Sequence, residues 1–335
     1  MDAWIRRSRG RGVRALGVPA RRGKVGRARP SLLWLGGLAI ALSGCAKDRC
    51  LDLRHYYDYD RGLPLEAVID TVYRRPDKVR LHVQYTSVHD CRVSALWTLP
   101  RKGTGPLPAI IVQHGLGDRK EVDYVEVADS AFPEAGFAVF RIDFQYHGER
   151  KREGRSVRFD AGLPFTSRDA WAQTVFDLRR AVDFLDSRPE IDPLRTGYLG
   201  ISLGGIIGAV FCAVEPRVEA PILALAGGGL RFVLRGKAFE DSVRRLFAPI
   251  EPLNFVQWIS PRPVLFVLAT KDEIIPQASS LLLYHEARKP KRIWWYEGHH
   301  RTVPVWTIMH DCVVWYRAVF EGRGLPRQPA GHPEG

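Results

Sequence analysis

Several features that define other classes of protein are missing from this sequence of 335 residues. It has no internal repeat of fixed period, which argues against a solenoid or a propeller. Its five cysteines show no spacing, among themselves or with histidine, that resembles a zinc site. The apolar run within 31–45 has about a dozen residues, which is short for a transmembrane helix. What remains, with 45% hydrophobic and 26% charged residues, is ordinary globular composition.

The net charge of +13 is unevenly distributed along the chain. Residues 1–44 hold ten Lys and Arg and a single acidic residue, Asp2, so they carry +9 and the remaining residues only +4. A nucleic-acid-binding protein concentrates basic residues on its folded domain. We therefore expect no nucleic-acid partner.

The N-terminal segment 1–44 has the order of a signal peptide: a basic region, a short apolar run and small residues. It ends in Leu42-Ser43-Gly44-Cys45, which resembles the lipobox of bacterial lipoproteins. The resemblance implies cleavage before Cys45, lipidation of Cys45, and a lipid-anchored protein in the bacterial cell envelope, on the periplasmic face or at the outer membrane. An uncleaved anchor and an ordinary secretory signal are the alternatives.

The other four cysteines fit an exported protein, because an oxidising compartment permits disulfides. Cys50 and Cys91 lie in the N-terminal region and could pair. Cys212 and Cys312 fall in predicted helices, where a buried free thiol is the commoner state.

The order of predicted elements indicates an α/β protein. Residues 79–100 alternate apolar and polar and predict two antiparallel strands joined near His89-Asp90. From residue 109, short apolar runs alternate with helical stretches, which is typical of a mostly parallel sheet with helices on both faces. The later predicted strands are 109–115, 136–144, 196–202, 220–227, 262–270 and 292–297, and the predicted helices are 121–135, 168–187, 203–214, 277–288 and 303–320.

We expect the α/β domain to span residues 71–322. A tether or N-terminal extension, 45–70, precedes it, and a disordered tail, 323–335, follows it. A small helical insert is expected at about 230–259. In such sheets the ligand site lies beyond the carboxyl ends of the strands, so candidate residues should directly follow strands.

Ser202 is the candidate nucleophile, because it is the serine of a G-x-S-x-G motif, Gly200-Ile201-Ser202-Leu203-Gly204. The motif falls where a predicted strand meets a predicted helix, which is the context it requires. Its glycines allow strand and helix to approach closely, so the serine hydroxyl is held on a tight corner near a helix N-terminus. A glycine-rich helix start without chemistry is the alternative.

A serine hydroxyl needs a base, and the base needs an orienting acid. Asp272 follows one predicted strand and His299 follows the next, which gives the order Ser, Asp, His of an α/β-hydrolase triad. Glu273 is a weaker rival for the acid. His300 is the alternative base, and we favour His299 because it directly follows Gly298.

An oxyanion hole is also expected, from backbone N–H groups. One donor should be the amide of Leu203, the residue after the nucleophile. The other should be Leu116, in the loop His114-Gly115-Leu116-Gly117 after the strand 109–115. We interpret His114 as a loop-shaping residue, because it precedes the triad positions in the wrong chain order.

These blocks together resemble the dienelactone hydrolase, acetyl xylan esterase and prolyl-oligopeptidase-like group of α/β-hydrolases. "QHGLGD", "GISLGG", "SPRPVLFVLATKDEIIP" and "YEGHH" match that group in order, within 109–300. The chain departs from it at Leu203, where those acetyl xylan esterases have Gln, and at Ser202, where dienelactone hydrolase has Cys. Asp143 and Arg150, in "DFQYHGER", match positions that fix the loop beside the site.

The resemblance implies a serine hydrolase that cleaves a small carboxylic ester through an acyl-enzyme. A peptidase or amidase with the same triad is one alternative, and a surface lipoprotein that binds without turnover is another. No cofactor and no metal are implied. Three aromatic residues could line an acyl site, although packing explains each of them as well: Phe144, Tyr146 and Trp171.

Overall fold

The computed structural model describes residues 52–101, 105–153, 164–230 and 245–331. Nine strands form one sheet in the order β1-β2-β3-β5-β4-β6-β7-β8-β9. In chain order the strands are β1 (Val68–Arg74), β2 (Lys78–Thr86), β3 (Arg92–Pro100), β4 (Leu107–Gln113), β5 (Ala138–Ile142), β6 (Ile191–Ile201), β7 (Val218–Ala224), β8 (Val264–Ala269) and β9 (Lys291–Tyr296).

The sheet has an antiparallel part and a parallel part. β1, β2 and β3 pair antiparallel, and β3 pairs antiparallel with β5. From β5 through β4 and β6 to β9 all neighbours are parallel. The parallel strands read as apolar runs because helices cover both of their faces. This confirms the predicted fold class, an α/β-hydrolase fold with a mostly parallel sheet and an antiparallel N-terminal strand pair.

The helices whose bounds lie within the described ranges are α1 (Asp123–Glu126), α2 (Ala128–Glu134), α3 (Pro164–Asp186), α4 (Leu203–Val214), α5 (Gln277–Glu286) and α6 (Val305–Phe320). Helices on the two faces of the sheet bury two apolar clusters. Side chains of α3 and α4 join one cluster, and side chains of α2 and α6 join the other, which we call the α6-side cluster.

Two thiols lie where the sequence predicts them. Cys212 in α4 and Cys312 in α6 are buried and free. Burial raises the pKa of both thiols well above the ordinary value, so they are protonated side chains that pack as small apolar groups. None of the helices in the described ranges is long and apolar enough to cross a membrane.

The N-terminal part of the sheet extends further than predicted. β1 adds an edge strand before the predicted pair, and residues 68–72 are exposed, so burial imposes no apolar alternation there. Upstream, the segment assigned to a tether packs against the domain: Tyr57 is fully buried and donates a hydrogen bond to the Pro249 carbonyl at 2.7 Å. The predicted signal peptide and Cys45, together with Cys50, lie outside the described residues.

Two other predicted segments differ in extent. The expected disordered tail begins at residue 323, yet the Gln328 side chain accepts a hydrogen bond from Trp295 N–H at 2.8 Å, at the free edge of β9. Leu325 packs against the α6-side cluster.

In the expected insert, residues 231–244 lie outside the described residues, and 248–259 contain three short 3-10 helices.

Candidate active site

Ser202 occupies a strained corner between β6 and α4. Its φ of 55° and ψ of −116° lie in a region that non-glycine residues rarely adopt. Its N–H donates to the Ala224 carbonyl at 2.9 Å, which ties the corner to the end of β7. Such a bend lifts the hydroxyl above the sheet edge, as the sequence motif predicts.

Glycines around the corner permit its close packing. A Cβ at Gly200 would lie 2.3 Å from the Gly204 carbonyl oxygen, and one at Gly204 would lie 2.6 Å from the Gln113 carbonyl oxygen. Both contacts are with backbone, which cannot move aside as a flexible side chain can. The absence of side chains at these glycines therefore lets strand β6, helix α4 and the end of β4 pack closely around the corner at Ser202.

A continuous chain of hydrogen bonds runs from Ser202 through His300 to Asp272. His300 Nε2 lies 3.0 Å from Ser202 Oγ, and His300 Nδ1 lies 2.8 Å from Asp272 Oδ2 and 2.9 Å from Oδ1. The Asp272 carboxylate also accepts the N–H groups of Ile274 and Ile275, at 3.0 and 2.8 Å. Because the carboxylate accepts from Nδ1–H, Nε2 is left free to accept the serine proton.

His299 does not join this chain, so the geometry corrects the preference for it over His300. Its Nδ1 lies 3.2 Å from Glu273 Oε2, and both side chains of that pair are more than half exposed. The side chains of His300 and Asp272 are only 8% and 5% exposed. Asp272, rather than its rival Glu273, therefore faces the histidine that contacts Ser202.

The backbone after β9 explains why the second histidine points inward. Gly298 has a φ of +140°, and a Cβ there would crowd the Thr302 carbonyl at 3.0 Å. His299 N–H then donates to Thr302 Oγ1 at 3.0 Å, and Thr302 N–H donates to the His299 carbonyl at 3.1 Å. The resulting turn directs His299 to solvent and the following residue, His300, towards Ser202.

The loop after β4 passes close to Ser202. A Cβ at Gly115 would lie 3.5 Å from Ser202 Cβ. The N–H of Gly115 donates to Tyr124 Oη at 2.7 Å, and the N–H of Gly117 donates to His147 Nε2 at 3.0 Å. Within the described ranges the Leu116 N–H between them has no acceptor, so it is a free donor in this loop.

Leu203 supplies a second free donor. As the first residue of α4, it has no acceptor within the helix for its N–H. The positive end of the helix dipole lies at the same point, which favours negative charge beside Ser202. Leu116 and Leu203 both line the cavity that contains Ser202, so the two predicted oxyanion donors are on the same site.

His114 is a buried, neutral loop residue. Its Nδ1 lies 2.8 Å from the Gly115 carbonyl, and its Nε2 accepts the Phe144 N–H at 3.4 Å, so the proton is on Nδ1. Burial lowers the pKa of His114 to about 3. Among the described residues its ring nitrogens bond to Gly115 and Phe144 and not to Ser202, Asp272 or His300, as expected for a loop-shaping residue.

The loop after β5 is held by buried ion pairs, as the interpretation of Asp143 and Arg150 predicts. The Asp143 carboxylate accepts hydrogen bonds from the backbone N–H and the side-chain ammonium group of Lys120, at 2.9 and 2.6 Å. Arg150 donates to the Asp143 carbonyl at 3.0 Å and to Asp177 at 2.6 Å. This network fixes the segment that carries His147 and, through it, the Gly117 amide.

Two residues that hold the loop 114–117 in place, Tyr124 and His147, were not predicted from the sequence. His147 could have been found, since it lies in a polar loop directly after a strand, as the other candidates do. Tyr124 carries no such signal, because it lies inside a helical stretch. Its hydroxyl accepts from Gly115 N–H and donates to Asp118 at 2.8 Å.

A cavity of about 720 Å³ opens above the corner at Ser202. Ser202 and His300 lie on its wall, and apolar side chains dominate the remainder of the described lining. Of the three aromatic residues suggested for an acyl site, Trp171 lines the cavity and Phe144 and Tyr146 do not. Phe144 instead packs on His114, with ring centroids 4.4 Å apart.

Known proteins resemble the chain in sequence and in structure. The family model of the acetyl xylan esterases matches residues 61–225. The Bacillus subtilis protein YtaP is 24% identical over 201 residues, covering 55% of this chain and 67% of YtaP. The structure of an acetyl xylan esterase from Paenibacillus sp. R4 has a TM-score of 0.68 at 18% identity, over 80% of this chain and 94% of that chain. A cold-adapted esterase from an Arctic intertidal metagenomic library has a TM-score of 0.59 at 21% identity, over 77% and 99%.

The family match ends at residue 225, so it includes Ser202 and stops before Asp272 and His300. The structural likeness extends over most of the chain and concerns the fold. The strand order of the sheet and the strained backbone at Ser202 are both consistent with the family match over residues 61–225. The chain therefore has the α/β-hydrolase fold, and its residues 61–225 are similar to the acetyl xylan esterase family.

Proposed function

We propose that the protein is a serine hydrolase that cleaves carboxylic esters, with Ser202 as nucleophile, His300 as base and Asp272 as the orienting acid. The observation that carries the proposal is the hydrogen-bonded chain from Ser202 Oγ through His300 to the Asp272 carboxylate, at 3.0 and 2.8 Å. The family match to acetyl xylan esterases supports an esterase over other hydrolases of this fold.

In the proposed first step, Ser202 Oγ attacks the ester carbonyl carbon while His300 Nε2 takes the hydroxyl proton. The carbonyl oxygen becomes an oxyanion, and the free N–H groups of Leu116 and Leu203 are the donors suited to stabilise it. The carbon–oxygen bond to the alcohol then breaks, and His300 returns its proton to the leaving oxygen. An acyl-enzyme on Ser202 remains.

In the second step, water attacks the acyl-enzyme and His300 takes its proton. Collapse of the tetrahedral intermediate breaks the bond to Ser202 Oγ, which recovers a proton from His300, and the carboxylic acid is released. The Asp272 carboxylate orients His300 and stabilises the imidazolium that forms in each step. The net reaction consumes one water and needs no redox partner.

The test is Ser202→Ala assayed with p-nitrophenyl esters and with a matched p-nitroanilide. We expect kcat for the ester to fall by about 10⁴–10⁶ while the fold is retained. A fluorophosphonate should label the parent and not the variant. Equal labelling of both proteins would remove Ser202 from its role, and faster cleavage of the anilide than of the ester would favour the amidase alternative.

A further inference from the structure

We infer that the cavity above Ser202 binds an unbranched hydrocarbon acyl chain, so that the preferred substrates are esters of medium-chain fatty acids rather than acetate esters. The inference rests on the proposed ester hydrolysis and names its substrate class.

One side of the cavity is built from the α6-side cluster. Its wall combines side chains at the carboxyl ends of three parallel strands with side chains from the first turns of α6. None of the described lining residues that belong to this cluster carries a charge. Residues that define this wall are Leu199, Ala224, Val267, Ile308 and Met309.

The charged groups of the lining are confined to the catalytic end. Asp118 and Arg301 are partly or largely exposed, next to the oxyanion loop and to His300. The hydroxyl group of Tyr124, which also lines the cavity, already accepts a hydrogen bond from Gly115 N–H and donates one to Asp118. A sugar ring directed at this wall would lose hydrogen bonds to water without replacement, whereas an alkyl chain would not.

The size of the cavity also favours a medium-chain acyl group over an acetyl group. A volume of about 720 Å³ lies within the range that encloses ligands of drug size, and an acetyl group has a single methyl carbon to offer. At the mouth, Leu116 and Ile274 line the cavity and are each 42% exposed. An apolar rim that leads to an apolar wall fits a hydrocarbon chain in both places.

The first test measures kcat/KM of the parent protein for p-nitrophenyl acetate, butyrate, hexanoate and octanoate. We expect kcat/KM to rise about fourfold for each methylene that is buried. A decrease from acetate onward would overturn the inference while leaving the proposed ester hydrolysis intact.

The second test uses a matched pair of variants on α6. Ile308→Phe narrows the apolar wall, whereas Val313→Phe makes the same kind of change at a buried position of the same helix that does not line the cavity. We expect Ile308→Phe to lower the ratio of kcat/KM for octanoate to that for acetate at least about tenfold. Val313→Phe should retain the parent ratio. Equal ratios in the two variants would contradict the assignment of the wall.

A binding measurement keeps this inference separate from the catalytic proposal. In Ser202→Ala, calorimetry should detect octanoate binding more tightly than butyrate, since chain burial does not depend on the nucleophile. If no ester is hydrolysed and no fluorophosphonate reacts, the proposed function fails while tighter octanoate binding still supports the chain site. Failure of the variant to prefer octanoate over butyrate would overturn the chain site itself.

Discussion

Two carboxylate–histidine pairs lie side by side after β8 and β9, and among the described residues only one of them contacts Ser202. The Asp272–His300 pair is buried, with side chains 5% and 8% exposed and an N–O distance of 2.8 Å. The Glu273–His299 pair is open to solvent, with exposures of 54% and 56% and a distance of 3.2 Å. A carboxylate and a histidine, each one position apart in its loop, thus form a buried pair that contacts Ser202 and an exposed surface pair.

Burial and hydrogen bonding, more than the chemical identity of the side chains, distinguish the pair that contacts Ser202 from the exposed pair. An exposed ion pair is screened by water and contributes little. A buried imidazole beside a carboxylate is held in one tautomer and one orientation, which is what a general base requires. Glu273 has a backbone role instead: N–H groups of Glu273 itself and of His300 lower the pKa of its carboxyl group.

We expect the largest difference in kcat between the two pairs when their histidines are replaced. His300→Ala should lower kcat for an ester by about 10⁴, because Ser202 loses its base. His299→Ala should change kcat by less than about threefold, as expected for an exposed side chain away from special features. Steady-state kinetics on the two variants and the parent measure both effects. A larger loss in His299→Ala than in His300→Ala would reverse the assignment.

The same comparison shows what the sequence could and could not predict. The motif and its position between strand and helix predict Ser202 and the N-terminus of α4, because glycine spacing and apolar periodicity are local properties. The order of polar residues after successive strands also predicts Asp272. The choice between His299 and His300 is not local: it depends on the φ of Gly298 and on the hydrogen bonds of Thr302.

Elements at the margins of the fold escape prediction for a related reason. β1 is an edge strand with little burial, so no apolar pattern marks it. The segment around Tyr57 packs through a contact with Pro249, a residue 192 positions away, and no local pattern reports such a contact. The support of the oxyanion loop by Tyr124 is likewise tertiary, since the hydroxyl reaches a loop nine positions upstream.

A smaller effect should separate the two carboxylates. Asp272→Asn presents an amide N–H to His300 Nδ1, which favours the tautomer that cannot accept the serine proton, and we expect kcat to fall by about 10³–10⁴. Glu273→Gln keeps an acceptor for the His300 backbone N–H, so kcat should change by less than about threefold. Kinetics with an ester substrate, alongside thermal unfolding of both variants, provide the measurement.

Thermal unfolding distinguishes a positioning role from a structural one in this pair. If Asp272→Asn loses activity only in proportion to lost folded protein, the carboxylate merely stabilises the loop. Retained folding with a low kcat and a near-parent KM is the result expected for a residue that orients His300. Comparable losses in the two variants would contradict the division into a catalytic and a surface pair.

Two further histidines, His114 and His147, extend the contrast, because their rings bond to backbone groups. His114 Nδ1 lies 2.8 Å from the Gly115 carbonyl, and His147 Nδ1 lies 3.1 Å from the Gln145 carbonyl. Burial lowers the pKa of both rings, to about 3 for His114. Each neutral ring also accepts a backbone N–H, from Phe144 and from Gly117, and a protonated ring could not.

The smallest expected effect is therefore on stability at acid pH. Below about pH 6.5 the unfolded chain binds a proton at His114 that the folded protein does not bind, so the free energy of unfolding falls as the pH drops from about 6.5 towards about 3. Between about pH 7.5 and pH 5 this site should account for about 2 kcal/mol of the decrease. Urea unfolding of His114→Asn should show a pH dependence of the free energy of unfolding that is weaker by that amount than that of the parent. If His114→Asn and the parent lose the same free energy over this interval, the buried ring is not the source of the acid sensitivity.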